Sequence, residues 1–329
     1  MLPRAYFILF LFALTACKPD IMVNKMCVFN ESDLIAPNTS AEAEHVFQLA
    51  RSVDIEVIVD MPETILPELR DKESNRVEAK KLYLQAAEMG HTGAMNNLAF
   101  YLSEGYGNPK HRNGRPDFTE DHNGAFYWNQ EMARRGDPKG YVGIAGYFYS
   151  NLFGGPDPAR GEACLVEAAK MDHIRAVILL AQRDLGRWEG SGIVTLNPIK
   201  VKRGIALLED TALRGEAEAF EVLARYYKAY PRNWPKYEYY MRESLKMGSY
   251  GARSSLSGVY ANEFMGKPDS GQSKCLRTLR GTDLTNLETL CPRPDGPLTR
   301  EQVGLPPAPT QRLNLRAYLT EFQQQHPNL

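Results

Sequence analysis

The sequence predicts an all-α solenoid of about five helix-turn-helix units, with an N-terminal cap and an irregular C-terminal extension. Three observations carry that prediction. First, residues 80–107 hold two short apolar faces at helical spacing, Leu82, Ala86 and Ala87, then Ala94, Leu98, Ala99 and Leu102, parted by Gly90. Glycine costs a helix interior about 1 kcal/mol against alanine, so Gly90 belongs at a turn, where a left-handed backbone suits it. Second, the spacing returns. Counted from Gly90, Gly136, Asp172, Gly215 and Gly248, a small residue stands four positions on (Ala94, Gly140, Ala176, Ala219, Ala252). An aliphatic residue stands eight positions on (Leu98, Ile144, Leu180, Leu223, Leu256), followed by Ala99, Ala145, Ala181, Ala224 or Ser257. Third, one helical hairpin cannot bury both of its faces, so the recurrence implies stacked neighbours.

Aromatics close each unit but the third, at Tyr101, Tyr147, Tyr226 with Tyr227, and Tyr260. The whole pattern, paired small residues before the turn, Ala four on, a Leu-Ala pair and a Tyr, resembles the Sel1-like repeat, a relative of the tetratricopeptide repeat. The resemblance covers residues 73–266. It implies a right-handed α-solenoid whose first helices line the concave side and whose usual work is protein binding. The family supplies no catalytic motif, so no residue's role is carried over from it.

In chain order, Arg4 precedes an apolar run over 5–16, too short to span a bilayer and suited to a signal peptide (1–16). The run ends Leu14-Thr15-Ala16-Cys17, which resembles the bacterial lipobox. That resemblance implies cleavage before Cys17, lipidation of Cys17 and a membrane anchor. Lys18 rather than Asp follows, which favours the periplasmic face of the outer membrane. Residues 17–72 read as a polar tether over 18–37 and a cap, with a helix over 40–51 behind Ser40. The β-branched run 55–59 reads as a lone strand or an extended connector. Insertions at 103–124 and 186–202 read as loops on one face of the array (73–266). The extension, 267–329, holds eight of the 21 prolines. Short helices are expected within 276–290 and 313–322. Cys275 and Cys291 flank a short loop and are expected to pair, whereas Cys164 is expected as a buried, small apolar residue.

Chemistry is sparse. No phosphate loop, zinc-protease motif or nucleophile elbow occurs. His111 and His122, with Asp117, Glu120 and Asp121, read as a hydrated polar loop rather than a metal site, and His91, in the first turn of a repeat, is expected to face solvent. A net charge of −1 from 39 basic and 40 acidic residues gives no basic stripe for nucleic acid. No catalytic residue, metal or cofactor is expected.

A partner surface remains. Trp128, Arg134, Trp188, Trp234 and Tyr237 are the expected anchors, because Trp, Tyr and Arg dominate protein interfaces. Tyr127 and Tyr240 are assigned to the core, and Trp234 to a loop. Periplasmic Sel1-like lipoproteins of this size resemble immunity proteins of type VI secretion phospholipase effectors. That resemblance implies a protein partner, a secreted phospholipase effector, and a toxin-neutralising role. An envelope scaffold assembling other periplasmic proteins is the alternative.

Overall fold

The computed structural model describes residues 27, 34–35, 40–59, 69–108, 119–150, 152, 155–186, 196–229, 232–261, 269–279 and 287–327. The signal-peptide reading and Cys17 lie outside them. Helix α1 (Ala41–Val59) precedes five helix pairs: α2 (Leu69–Glu88) with α3 (Thr92–Ser103), α4 (His122–Arg134) with α5 (Pro138–Tyr149), α6 (Pro158–Lys170) with α7 (Ile174–Asp184), α8 (Pro198–Leu213) with α9 (Ala217–Ala229), and α10 (Trp234–Lys246) with α11 (Tyr250–Ala261). Then come α12 (Ser270–Thr278), the single turn α13 (Leu287–Leu290) and α14 (Leu315–Gln325). Every helix from α1 to α12 packs on the next, which is the contact pattern of a solenoid.

The five turn positions share one conformation. Gly90, Gly136, Gly215 and Gly248 have φ of 96°, 72°, 89° and 89°, and Asp172, the one non-glycine, has 59°. In four turns the next residue's N–H reaches back five positions: His91 to Ala86 O (3.0 Å), Asp137 to Met132 O (3.0 Å), His173 to Ala168 O (3.3 Å) and Ser249 to Ser244 O (3.2 Å). This is the Schellman closure of a helix. The same residue then caps the following helix. The His91 Nδ1, Asp137 Oδ1, His173 Nδ1 and Ser249 Oγ accept from the first turns of α3, α5, α7 and α11. Asn or Asp ahead of an early Pro starts α5, α6, α8 and α10 in the same way.

Small residues set the helix spacing. Ala94, Ala176, Ala219 and Ala252 are fully buried, as are Ile144, Leu180, Leu223 and Leu256. At Gly140 even a methyl is too large, because a Cβ there would overlap the Ala133 N and lie 2.5 Å from the Asn129 carbonyl O.

Both terminal segments fasten to first helices. Cys27 is disulfide-bonded to Cys164 on α6 (Cα–Cα 4.9 Å), and the Ile35 N–H donates to the carbonyl of Arg134 at the end of α4 (2.8 Å). From the other end, Cys275 on α12 is joined to Cys291 (Cα–Cα 5.8 Å). Arg293 then pairs with Glu238 of α10 (2.7 Å), and Arg300 grips Glu209 of α8 with both terminal nitrogens (2.9 and 3.2 Å). The Leu313 N–H donates to Asp210 of α8 (2.6 Å), and α14 packs on α6. Val303, Leu305, Leu315 and Leu319 join the main core.

Four expectations are corrected. Cys164 is not a free thiol, because 18–37 is no simple tether: its Cys27 returns to α6 across 137 residues. Residues 55–59 continue α1, since β-branched residues cost a helix at most about 0.7 kcal/mol each and Asp54 is held by the hydroxyls of Tyr83 and Tyr101. His91, expected to face solvent, is 8% exposed and stacks on Phe47 of α1. Trp234 opens α10 rather than lying in a loop, because Asn233 caps Lys236 N at 3.0 Å.

Three outcomes follow from this packing. Gly140→Ala should destabilise by about 1–3 kcal/mol through overpacking. Gly146→Ala, on the same helix with no atom within 4 Å of its would-be Cβ, should stabilise by about 0.5–1 kcal/mol. Urea denaturation compares the two. Arg300→Ala should cost about 3 kcal/mol by leaving Glu209 buried and unpaired, with part recovered in the double variant that also carries Glu209→Gln.

A fourth outcome is a pH dependence. Burial holds the His173 imidazole below its ordinary 6.5, opposed by Asp137 and assisted by Lys139. Its neutral Nδ1 is the cap acceptor. The folded state therefore favours the unprotonated form, and this contribution is complete above pH 6.5 and lost as pH falls below it. His173→Asn, a cap that does not titrate, should flatten the fall in Tm between pH 7.5 and 5.

Candidate partner-binding surface

The expected anchors separate into three environments. Trp128 is half-buried against the core around α1–α3 and meets Tyr127 edge-on at 5.1 Å. Tyr127, expected in the core, is 52% exposed. Arg134 pairs with Glu131 (3.1 Å) while its carbonyl takes Ile35. Trp234 packs half-buried against the main core, edge-on to Tyr237 at 5.7 Å. Tyr237 is a correction: it is 1% exposed, so it is packing rather than surface, and burial pushes its hydroxyl up to about 12. Trp188 lies outside the described residues. Trp128 and Trp234 sit three repeats apart and form no common patch.

The larger correction concerns the face. First helices were expected to carry the partner. Instead α4 and α6 receive the N-terminal segment, and α6, α8 and α10 receive the C-terminal one. Buried carboxylates face those strands. Glu238, Glu209 and Asp210 are 2%, 8% and 1% exposed, and each is answered by Arg or by a backbone N–H of the extension.

The second helices present open clefts. One, of about 570 Å³, lies between α3 and α5 and is lined by Asn96, Asn97 and Phe100 on one side and Gly143, Gly146 and Tyr147 on the other. Glu104, Glu120 and His122 close its end. A second, of about 430 Å³, runs between α5 and α7, with Tyr149, Leu179 and Arg183 in its walls. Gly146 and Ser150 border both, so the two clefts flank α5 and adjoin across it there, as a trough that crosses α5 at the bare Gly146.

Glycines shape it. Gly146 is bare, and Gly143 makes room for the Asn129 amide, whose Nδ2 donates to Ala125 O at 2.9 Å. Phe100 is 53% exposed at the rim. Two polar atoms are buried without a hydrogen-bond partner: the His122 Nδ1, while its Nε2 sits 2.7 Å from Glu120, and the Tyr149 hydroxyl. Burial raises the Tyr149 hydroxyl above its usual range, and the Arg183 guanidinium lies 3.6 Å from its ring centroid. Among the described residues no group of three or more His, Cys, Asp or Glu is placed to hold a metal ion, and no helix is long and apolar enough to cross a membrane. The periodicity did not reveal the trough; the Gly140-Gly143-Gly146 series was its signal in the sequence.

No protein-family model matches the chain. No curated protein matches it either. Among solved structures it is similar to a protective antigen of uropathogenic Escherichia coli displaying an SLR fold (14% identity, TM-score 0.50, 86% of this chain and 53% of that one). It is also similar to an immunity protein from Pseudomonas aeruginosa (20% identity, TM-score 0.46, 91% and 98%) and a Sel1 repeat protein from Oxalobacter formigenes (18%, 0.47, 72% and 96%). At these identities the likeness is one of fold: the chain is an all-α solenoid of Sel1-like repeats.

Proposed function

We propose that this chain is a protein-binding lipoprotein of the periplasm that neutralises a toxin, a secreted phospholipase effector, by occupying it. The observation that carries the reading is the array itself. Its first-helix face is committed to its own termini, and an amide- and aromatic-lined trough stays open on the second-helix face. Such a scaffold presents a surface on which a partner can dock. The four described cysteines form two disulfides, which agrees with an oxidising compartment outside the cytoplasm. The lipobox-like Leu14 to Cys17 would place the chain at the membrane that a lipid-attacking effector reaches. The resemblance to immunity proteins of such effectors supplies the class of partner.

An inhibitor that competes with a phospholipid surface must bind tightly, and a nanomolar complex corresponds to about −12 kcal/mol. The test expresses the secreted effector encoded by the neighbouring gene, directed to the periplasm, with and without this chain. Protection and co-purification are expected, with protection weakened by Cys17→Ser. Equal killing in both strains with no complex would overturn the reading in favour of an envelope scaffold.

A further inference from the structure

We infer that the partner enters this trough as an extended polypeptide strand and places a basic side chain between Glu104 and Glu120. The inference rests on the partner-binding reading and names the surface and the chemistry. Availability comes first. The first-helix face, where a solenoid offers its longest groove, is held by Cys27, Ile35 and residues 291–325 through a disulfide, a backbone hydrogen bond, buried ion pairs and four buried apolar side chains. The α3–α5 cleft has no such cover among the described residues.

Charge is the second argument. The lining of the α3–α5 cleft includes Glu104 and Glu120 and no Lys or Arg, so it favours a cation. Beyond Gly146 the sign reverses, because Arg175 and Arg183 line the α5–α7 cleft. An occupant crossing α5 at Gly146 therefore carries its basic residue on the α3 side and tolerates an acidic one on the α7 side.

The third argument is hydrogen bonding. Asn96 donates one amide N–H to the Asn97 Oδ1 at 3.3 Å, and the remaining amide hydrogens and lone pairs of the two suit a backbone whose N–H and C=O groups are unsatisfied. A helix has already satisfied those groups internally, whereas an extended strand has not. The His122 ring is engaged by Glu120 at Nε2, and its buried Nδ1 has no partner. Phe100, half-exposed at the rim, gives the strand an apolar edge to lie against.

The test uses the full folded chain with two variants that the fold accommodates. Gly146→Arg fills the trough from a position with nothing within 4 Å, and Glu104→Lys reverses the charge of an exposed side chain. Where the wild-type chain retains the effector on co-purification, each variant should reduce retention at least tenfold with Tm unchanged. Undiminished retention by both would overturn the trough and leave the partner reading standing. Where the wild-type chain retains no effector, the partner reading falls and a peptide titration decides the trough alone. The probe is a capped glycine-serine pentapeptide with a central arginine, followed by amide chemical shifts. Shifts confined to Asn96, Asn97 and Gly146, absent with central glutamate and absent in Gly146→Arg, would uphold it. No shift there, or equal shifts with both peptides, would overturn it.

Discussion

The structure depends on one local constraint: a helix must end in a left-handed residue and restart at once with its axis close to the one it left. The turn residue at 90, 136, 172, 215 and 248 supplies the first half. The small residue four positions later supplies the second, because any larger group would hold the axes apart. Between them, in four of the five units, stands a residue that closes one helix with its N–H and opens the next with its side chain. Asp172 shows how strict the turn is. It accepts a conformation that costs most residues about 1–2 kcal/mol, one that Asp visits more readily than most, and its carboxylate lies 3.1 Å from Arg214.

This constraint is also what made the fold legible. Turn, small residue, aliphatic residue and the next small residue are all local to one hairpin, so a single sequence exposes them. The caps were equally local, and Asn233-Trp234-Pro235 went unread because Trp234 was weighed as a surface anchor before its neighbours were weighed as a helix start. What stayed hidden was long-range. Nothing in the vicinity of Cys27 announces Cys164, and nothing near Glu209 announces Arg300, 91 residues on. Tyr237 and Tyr127 were misassigned for a related reason. Aromatic character alone does not say which side of a helix meets the core, and the Tyr237 ring faces inward while that of Tyr127 faces out.

The buried charges have a common logic. Glu238, Glu209 and Asp210 lie on first helices under the extension, where unpaired carboxylates would cost several kcal/mol each. Arg293, Arg300 and the Leu313 N–H neutralise or hydrogen-bond them in turn. Glu238 and Asp210 also pair with Arg242 and Arg214 outside the extension, so the registration mark is Glu209, which an extension shifted along the groove would leave without Arg300. The same face, read from sequence as the partner's, is thereby consumed. Among the described residues the open clefts lie on the second helices, where glycines on α5 thin the wall and aromatic and amide side chains edge the opening.

Fastening both termini to the third repeat changes what kind of object the array is. An open solenoid frays from its ends and grows or shrinks by whole units, since each unit touches only its neighbours. Here Cys27 and α14 both arrive at α6, closing the line of repeats into two loops that share a node. Losing or duplicating a hairpin would pull the loop that contains it out of register. The number of repeats on either side of α6 is therefore pinned by the ends of the chain.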